Sequence, residues 1–213
     1  LPSTDCSAWG HEYVRSLAGE ISEEFSALSS AAELELMEEE YTISDELMTL
    51  VEDIVPFQMQ HNAEAEAVDL LMEIRQLSKL VDSSVVDEKN FERVCLYLLR
   101  SAAYVIDPED LSTLYNVTFH IFKSQNRYVD ALRVALRIDD DAKIEELFRL
   151  EGDGPSRKQK LQMAILLGRH RSHISLGEPA LDALIGNQQL SSHYRFVARS
   201  MDLGKAKSAE EIV

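Results

Sequence analysis

Two short stretches carry residue types that could do chemistry. His61-Asn62-Ala63-Glu64-Ala65-Glu66-Ala67-Val68-Asp69 gathers an imidazole and three carboxylates, a set able to ligate a divalent cation or share a proton. On a helix, however, only residues three or four apart share a face. His61 then pairs with Glu64, and Glu66 with Asp69, rather than all four converging. No second histidine lies close in sequence, so a capping or surface histidine on an acidic, solvated helix explains the same residues without chemistry. His11-Glu12-Tyr13-Val14-Arg15 begins like the zinc-protease motif HExxH, but Arg15 stands where the second imidazole must be. The motif fails.

The remaining candidates are weaker still. His170 and His173 flank Arg171 with Glu178 nearby, but the segment following Gly168 has the composition of a link, and ligands must converge. Gly152-Asp153-Gly154 with Arg157 and Lys158 suggests a phosphate cradle, yet it lacks the lysine-hydroxyl ending and a preceding strand, so it is better explained as a turn. Asn116-Val117-Thr118 matches a glycosylation sequon inside an apolar helical pattern, where that modification does not fit. Cys6 and Cys95 are far apart with no CxxC, so two buried free thiols are expected. There is no GxSxG and no His-Asp dipeptide of the kind helical metal phosphohydrolases need. The expectation is a chain that is not an enzyme, with no catalytic, cofactor-binding or metal-ligating residue.

The elements that hold these residues are helical throughout. Ala63, Ala67, Leu70, Leu71, Ile74 and Leu77 recur at helical steps and predict one helix from about Phe57 to Leu80. Before it, Asp5 caps a helix with Trp9, Tyr13, Leu17, Ile21, Phe25 and Leu28 inward, and the acidic run Ser29–Thr42 is a solvated loop or connector. A second helix from about Ser44 should stop at Val55-Pro56, because proline disfavours the α conformation in the residue before it. After it, Asp87 caps a helix through Ala102, and Asp107-Pro108-Glu109-Asp110 is a strong helix start. Further helices run over Tyr128–Ile138, from Asp139-Asp140-Asp141 through Leu150, and over Gln159–Leu167, Glu178–Ile185 and Gln188–Met201. No alternating strand pattern occurs. The expected fold class is all-α, about nine or ten helices in irregular stacked hairpins resembling an α-solenoid, with short links favouring antiparallel neighbours. Tyr128–Phe148 resembles a tetratricopeptide hairpin, but no fixed period repeats.

Charge is placed unevenly. Residues 1–90 hold 21 acidic and 4 basic side chains and so carry the whole net charge of −17. Residues 91–203 are charge-balanced, and the tail 204–213 lacks a helical pattern. The expected domain is 1–203. A basic footprint for nucleic acid is missing, no apolar run reaches the length that spans a bilayer, and a basic protein partner or simple solubility fits the charge better. The Leu-Pro start without an initiating Met suggests a fragment.

Three ordered sets of residues resemble a known family. They are Trp9-Gly10-His11-Glu12-Tyr13-Val14-Arg15 with Leu17-Ala18-Gly19-Glu20, then Val55-Pro56-Phe57 with His61–Glu64 and Asp69–Ile74. The third set is Val94–Leu98, Ala131–Leu136, Gln162-Met163-Ala164 and Leu167–His170. Together, over residues 9–203, they resemble the N-terminal part of the regulatory subunit 2 family, the largest non-ATPase subunits of the proteasome regulatory-particle base. The resemblance implies a non-catalytic helical-repeat scaffold beside the ATPase ring of the 26S proteasome, in cytoplasm and nucleus. It implies contacts with ATPase and other regulatory-particle subunits, and no nucleic-acid or membrane partner. Ubiquitin, ubiquitin-like shuttle receptors and a deubiquitinase would be held through a Gly/Ala-rich repeat toroid downstream. With eight glycines and no such repeat, this chain does not contain that toroid, so no partner-binding residue is assigned here. A free-standing helical adaptor for a basic partner is the alternative.

Overall fold

The computed structural model describes residues 10–34, 43–150, 152, 154–170, 172, 174–186, 196–197 and 199–201. Among them the chain is all-α, with no strand. It divides into two compact units, residues 1–140 and 141–213. In the first unit the helices are α1 (His11–Leu34), α2 (Asp45–Gln60), α3 (Glu64–Glu73), α4 (Phe91–Ser101), α5 (Pro108–Ser124) and α6 (Tyr128–Ile138), with a short 3₁₀ helix over Leu77–Val81. The second unit contains α7 (Asp141–Arg149), α8 (Arg157–His170) and α9 (Pro179–Ile185).

Packing is mostly between elements close in the chain: α1 on α2 and α3, α3 on α4, α4 on α5, and α5 on α6 and the 3₁₀ helix. That is the stacked arrangement which the irregular hairpin pattern predicts. α3 lies between α1, α2 and α4 and buries Ala67, Val68, Leu70, Leu71 and, at its cap, Ile74. In the second unit α8 packs on α9.

Several boundaries differ from the sequence expectation. Val55-Pro56 does not end α2, which runs through Pro56 to Gln60. Proline within a helix costs about 3 kcal/mol. Here Val51, Ile54, Val55, Phe57 and Met59 are buried on both sides of it, and that burial offsets the cost. The single helix expected over Phe57–Leu80 is three pieces, broken at Asn62 and again after Ile74. The part of the acidic run from Ser29 to Leu34 is helical, as the end of α1, while residues 35–42 lie outside the described residues. The inward stripe of α1 is Val14, Ala18, Ile21 and Phe25; Tyr13 and Leu28, expected inside, are exposed. Asp5, Trp9 and most of the expected helix 188–201 also lie outside the described residues.

Left-handed residues explain the breaks. The non-glycine residues with positive φ are Asn62, Arg75, Asn126 and Asp139, each following a helix. In every case the next N–H reaches back five residues: Ala63 to Gln58, Gln76 to Leu71, Arg127 to Phe122, and Asp140 to Ala135. This is the hydrogen-bond pattern that closes a helix C-terminus, usually built on glycine. Asn and Asp tolerate the conformation; Arg75 does so at a cost of about 1 kcal/mol. Starts are better signposted. Asp107 accepts a bond from Glu109 N at 2.9 Å with Pro108 in the first turn, as expected. Asp87 caps only the lead-in turn, accepting from Lys89 N and Asn90 N, and α4 itself begins at Phe91.

Candidate functional site

The residues that the sequence marks for chemistry meet along the flanks of α3, where each finds a structural partner. Glu64 opens α3, in the turn where a carboxylate favours the helix dipole. It is buried, and Arg93 of α4 reaches it. Two guanidinium nitrogens converge on Glu64 Oε1, with Nε at 2.8 Å, and Arg93 also donates to Asn62 Oδ1 at 3.1 Å. The Glu64 side chain is 7% exposed against 51% for Arg93, so the pair is asymmetric. A turn further along, the Tyr97 hydroxyl sits 2.7 and 2.8 Å from the two oxygens of Asp69. That hydrogen bond is the main reason the Tyr97 phenol is raised above its ordinary value. The two contacts advance in the same direction along both helices, so α3 and α4 run in the same sense. The antiparallel expectation fails for this pair because residues 74–90, including the 3₁₀ helix, give the chain length to return.

The opposite flank of α3 meets α1. Glu66 lies 3.7 Å from Arg15, the residue that breaks the HExxH pattern. His11 and His61 cluster with Phe57: the two imidazoles meet edge to face with centroids 4.7 Å apart, and His61 lies tilted against Phe57 at 4.2 Å. His61 Nδ1 donates to Phe57 O at 2.7 Å, so its imidazole caps the end of α2. His61, Glu64, Glu66 and Asp69 therefore go to four different partners. Among the described residues no three His, Cys, Asp or Glu side chains are grouped to hold a metal ion.

Beside this seam lies a cavity of about 300 Å³ between the end of α2, the link before α4, and α4 itself. Arg93 forms one wall, already committed to Glu64, and Asn90 is fixed by Val85 O and Asp87 N. The lining offers polar groups and Met59 but no nucleophile paired with a base.

Elsewhere the marked residues are also structural. Glu178 pairs with Arg157, Lys160 Nζ donates to Phe148 O at 2.7 Å, and Gly154 lies so close to Leu150 that a Cβ would sit 2.5 Å from its carbonyl oxygen. These bonds close α8 onto its surroundings within the second unit. His170 ends α8; Arg171, His173, Asp153 and Cys6 lie outside the described residues. Thr118 of the sequon is buried and bonds Leu114 O at 2.8 Å. Burial pushes the Cys95 thiol up to about 12, so it stays protonated and unreactive at neutral pH. No described helix is long and apolar enough to cross a membrane.

Arg93, Tyr97 and Arg127 were not singled out in the sequence. Arg127 joins Glu92 at 2.6 Å to Asp130 and lies over the Phe91 ring, tying α4 to α6. The hint in the sequence is a carboxylate on the edge of an apolar stripe, which calls for a cation or hydrogen-bond donor where it is buried but cannot say which.

With the arrangement in view, comparison with known proteins is decisive. The family model described as the RPN1 N-terminal domain matches residues 2–213. The chain belongs to the RPN1 N-terminal domain family. Its relatives include the 26S proteasome non-ATPase regulatory subunit 2 of Dictyostelium discoideum, 39% identical over 97% of this chain and 22% of that protein. Homolog A of the same subunit from Arabidopsis thaliana is 36% identical over 98% of the chain and 23% of its own length. The 26S proteasome regulatory subunit rpn1 of Schizosaccharomyces pombe is 36% identical over 99% and 22%. The chain thus spans less than a quarter of the length of these relatives. Membership in the RPN1 family agrees with the resemblance seen in the sequence, and with a set of carboxylates spent on joining helices.

Proposed function

We propose that the chain is a non-catalytic helical scaffold of the proteasome regulatory-particle base. In this reading it supports association with the ATPase ring and contributes to docking of ubiquitin and ubiquitin-like receptors in ubiquitin-dependent degradation. The observation that carries it is the family match across residues 2–213. The geometry supports it: the carboxylates and imidazoles of α3 and its turn serve packing, which leaves the outer helical faces for other proteins. In this reading residues 1–203 serve as the N-terminal helical part of a longer protein, whose downstream repeats hold the receptors and a deubiquitinase. The protein works in cytoplasm and nucleus. Native electrophoresis of cell lysate, probed for this chain, tests the proposal. Co-migration with proteasome ATPase subunits is expected, and consistent separation from them would sink it.

A second reading, a free-standing adaptor for a basic protein, is favoured by one observation. Glu20, Glu23, Glu24, Asp45, Glu46 and Asp53 are exposed and make no ion pair with another described residue. An acid-driven contact weakens steeply with salt, whereas packing against ATPase helices does not. A salt titration of the purified complex separates the two.

A further inference from the structure

The link between α4 and α5 carries the most exposed apolar side chains among the described residues. Tyr104 is 85% exposed and Ile106 96%. Single exposed apolar residues are ordinary, but two in three residues on a pinned link are not. The link is held at both ends: Tyr104 N bonds Ser101 O at 2.9 Å, and Asp107 caps α5. Little conformational freedom is left to lose on binding.

Val105, between the two, lines a cleft of about 260 Å³ whose floor includes Met72 and Leu77. Ligand pockets for whole small molecules run from about 300 Å³ upward, so this cleft suits one or two side chains of a protein. Glu109 and Asp110 are exposed on its rim and make no ion pair with another described residue. Arg75, the cation in the lining, is itself engaged with another group.

We infer that Tyr104, Ile106 and this cleft form a docking site for a basic amphipathic helix of a partner protein. An aliphatic side chain of the helix would enter between Met72, Leu77 and Val105, and flanking Lys or Arg residues would meet Glu109 and Asp110. Charge selects this occupant. A second copy of a chain with net charge −17 brings repulsion, and the rim carboxylates repel an anionic lipid surface. The inference rests on the proposed role as a protein-docking scaffold and names one surface that serves it.

The test uses the purified chain and a synthetic helical peptide with a leucine face flanked by lysines, read by fluorescence anisotropy. Ile106→Ser and Tyr104→Ser should each weaken binding about tenfold, as hot-spot truncations do. The pair Glu109→Gln with Asp110→Asn should weaken it about threefold to tenfold, more than loss of two charges from −17 would if attraction were diffuse. Leu96→Ser, at another exposed apolar position, should leave it unchanged. Circular dichroism melts verify that each variant folds. Equal binding by Ile106→Ser, or by a peptide with glutamates in place of lysines, would overturn the inference. So would a dimer in sedimentation that Ile106→Ser dissolves. Separation from ATPase subunits on native gels sinks the scaffold proposal but leaves this peptide assay intact, so the two failures are distinguishable.

Discussion

α1 and α3 are both rich in carboxylates, and they use them in opposite ways. On α3, Glu64 meets Arg93, Asp69 meets Tyr97 and Glu66 meets Arg15. On α1, Glu20, Glu23 and Glu24 are exposed and make no ion pair with another described residue. Residue type does not separate the two helices; position does. Among the described residues α3 packs against α1, α2, α4 and the 3₁₀ helix, whereas α1 packs against α2 and α3. Carboxylates on a helix flanked by neighbours become a polar seam, and those on a face without one become a charged surface.

Removing the cation that serves Glu64 should break the seam most severely. Arg93→Ala leaves a buried carboxylate without its partner and is expected to lower Tm more than any other single change on this seam, read by thermal melting. Glu64→Gln should cost less, because the guanidinium left behind is half exposed to water. Tyr97→Phe comes next, at about 1 kcal/mol in urea denaturation, since its partner Asp69 is exposed. Folding raises the Tyr97 phenol, so this bond's contribution is complete below the ordinary phenol range and is lost as pH rises through the raised value. Asp69→Asn should lower the midpoint of the Tyr97 absorbance titration.

Arg15→Ala is smaller again, within about 0.5 kcal/mol, because the pair with Glu66 is open to solvent and 3.7 Å long. On the charged face, Glu23→Gln with Glu24→Gln should leave stability within about 0.5 kcal/mol, measured by the same denaturation. A loss as large as that of Arg93→Ala would erase the distinction between the two helices.

Much of the fold was legible in the sequence, and the exceptions have physical reasons. Apolar periodicity located the helices, and Asp107-Pro108 marked a true start because its cap is local chemistry. Asn126 and Asp139, polar residues that tolerate left-handed backbone, bound the helix expected over Tyr128–Ile138. The stop at Arg75 was not, since arginine carries no turn signal. Pro56 misled in the other direction: its local cost is real, but burial on both sides outweighs it, and burial is a property of the whole stack. At the site, the pairing expected from helical spacing, His61 with Glu64 and Glu66 with Asp69, does not form: Glu64 and Asp69 face α4, whereas His61 and Glu66 face α1, because the chain breaks at Asn62 before α3 begins. The partners of Glu64 and Asp69, Arg93 and Tyr97, 29 and 28 residues away, are fixed by tertiary packing and leave no local pattern. His61 illustrates both sides, because the capping role was foreseeable and the edge-to-face contact with His11 was not.

A double-mutant cycle on Glu64 and Arg93 tests most directly whether the α3 carboxylates are structural. Glu64→Met, Arg93→Met and the double variant would be compared by urea denaturation. A structural pair predicts losses that do not add, with the double variant more stable than Arg93→Met alone because no carboxylate is left buried without a partner. Losses that simply add, to within about 0.5 kcal/mol, would contradict the account and return Glu64 to the list of residues held for some other purpose.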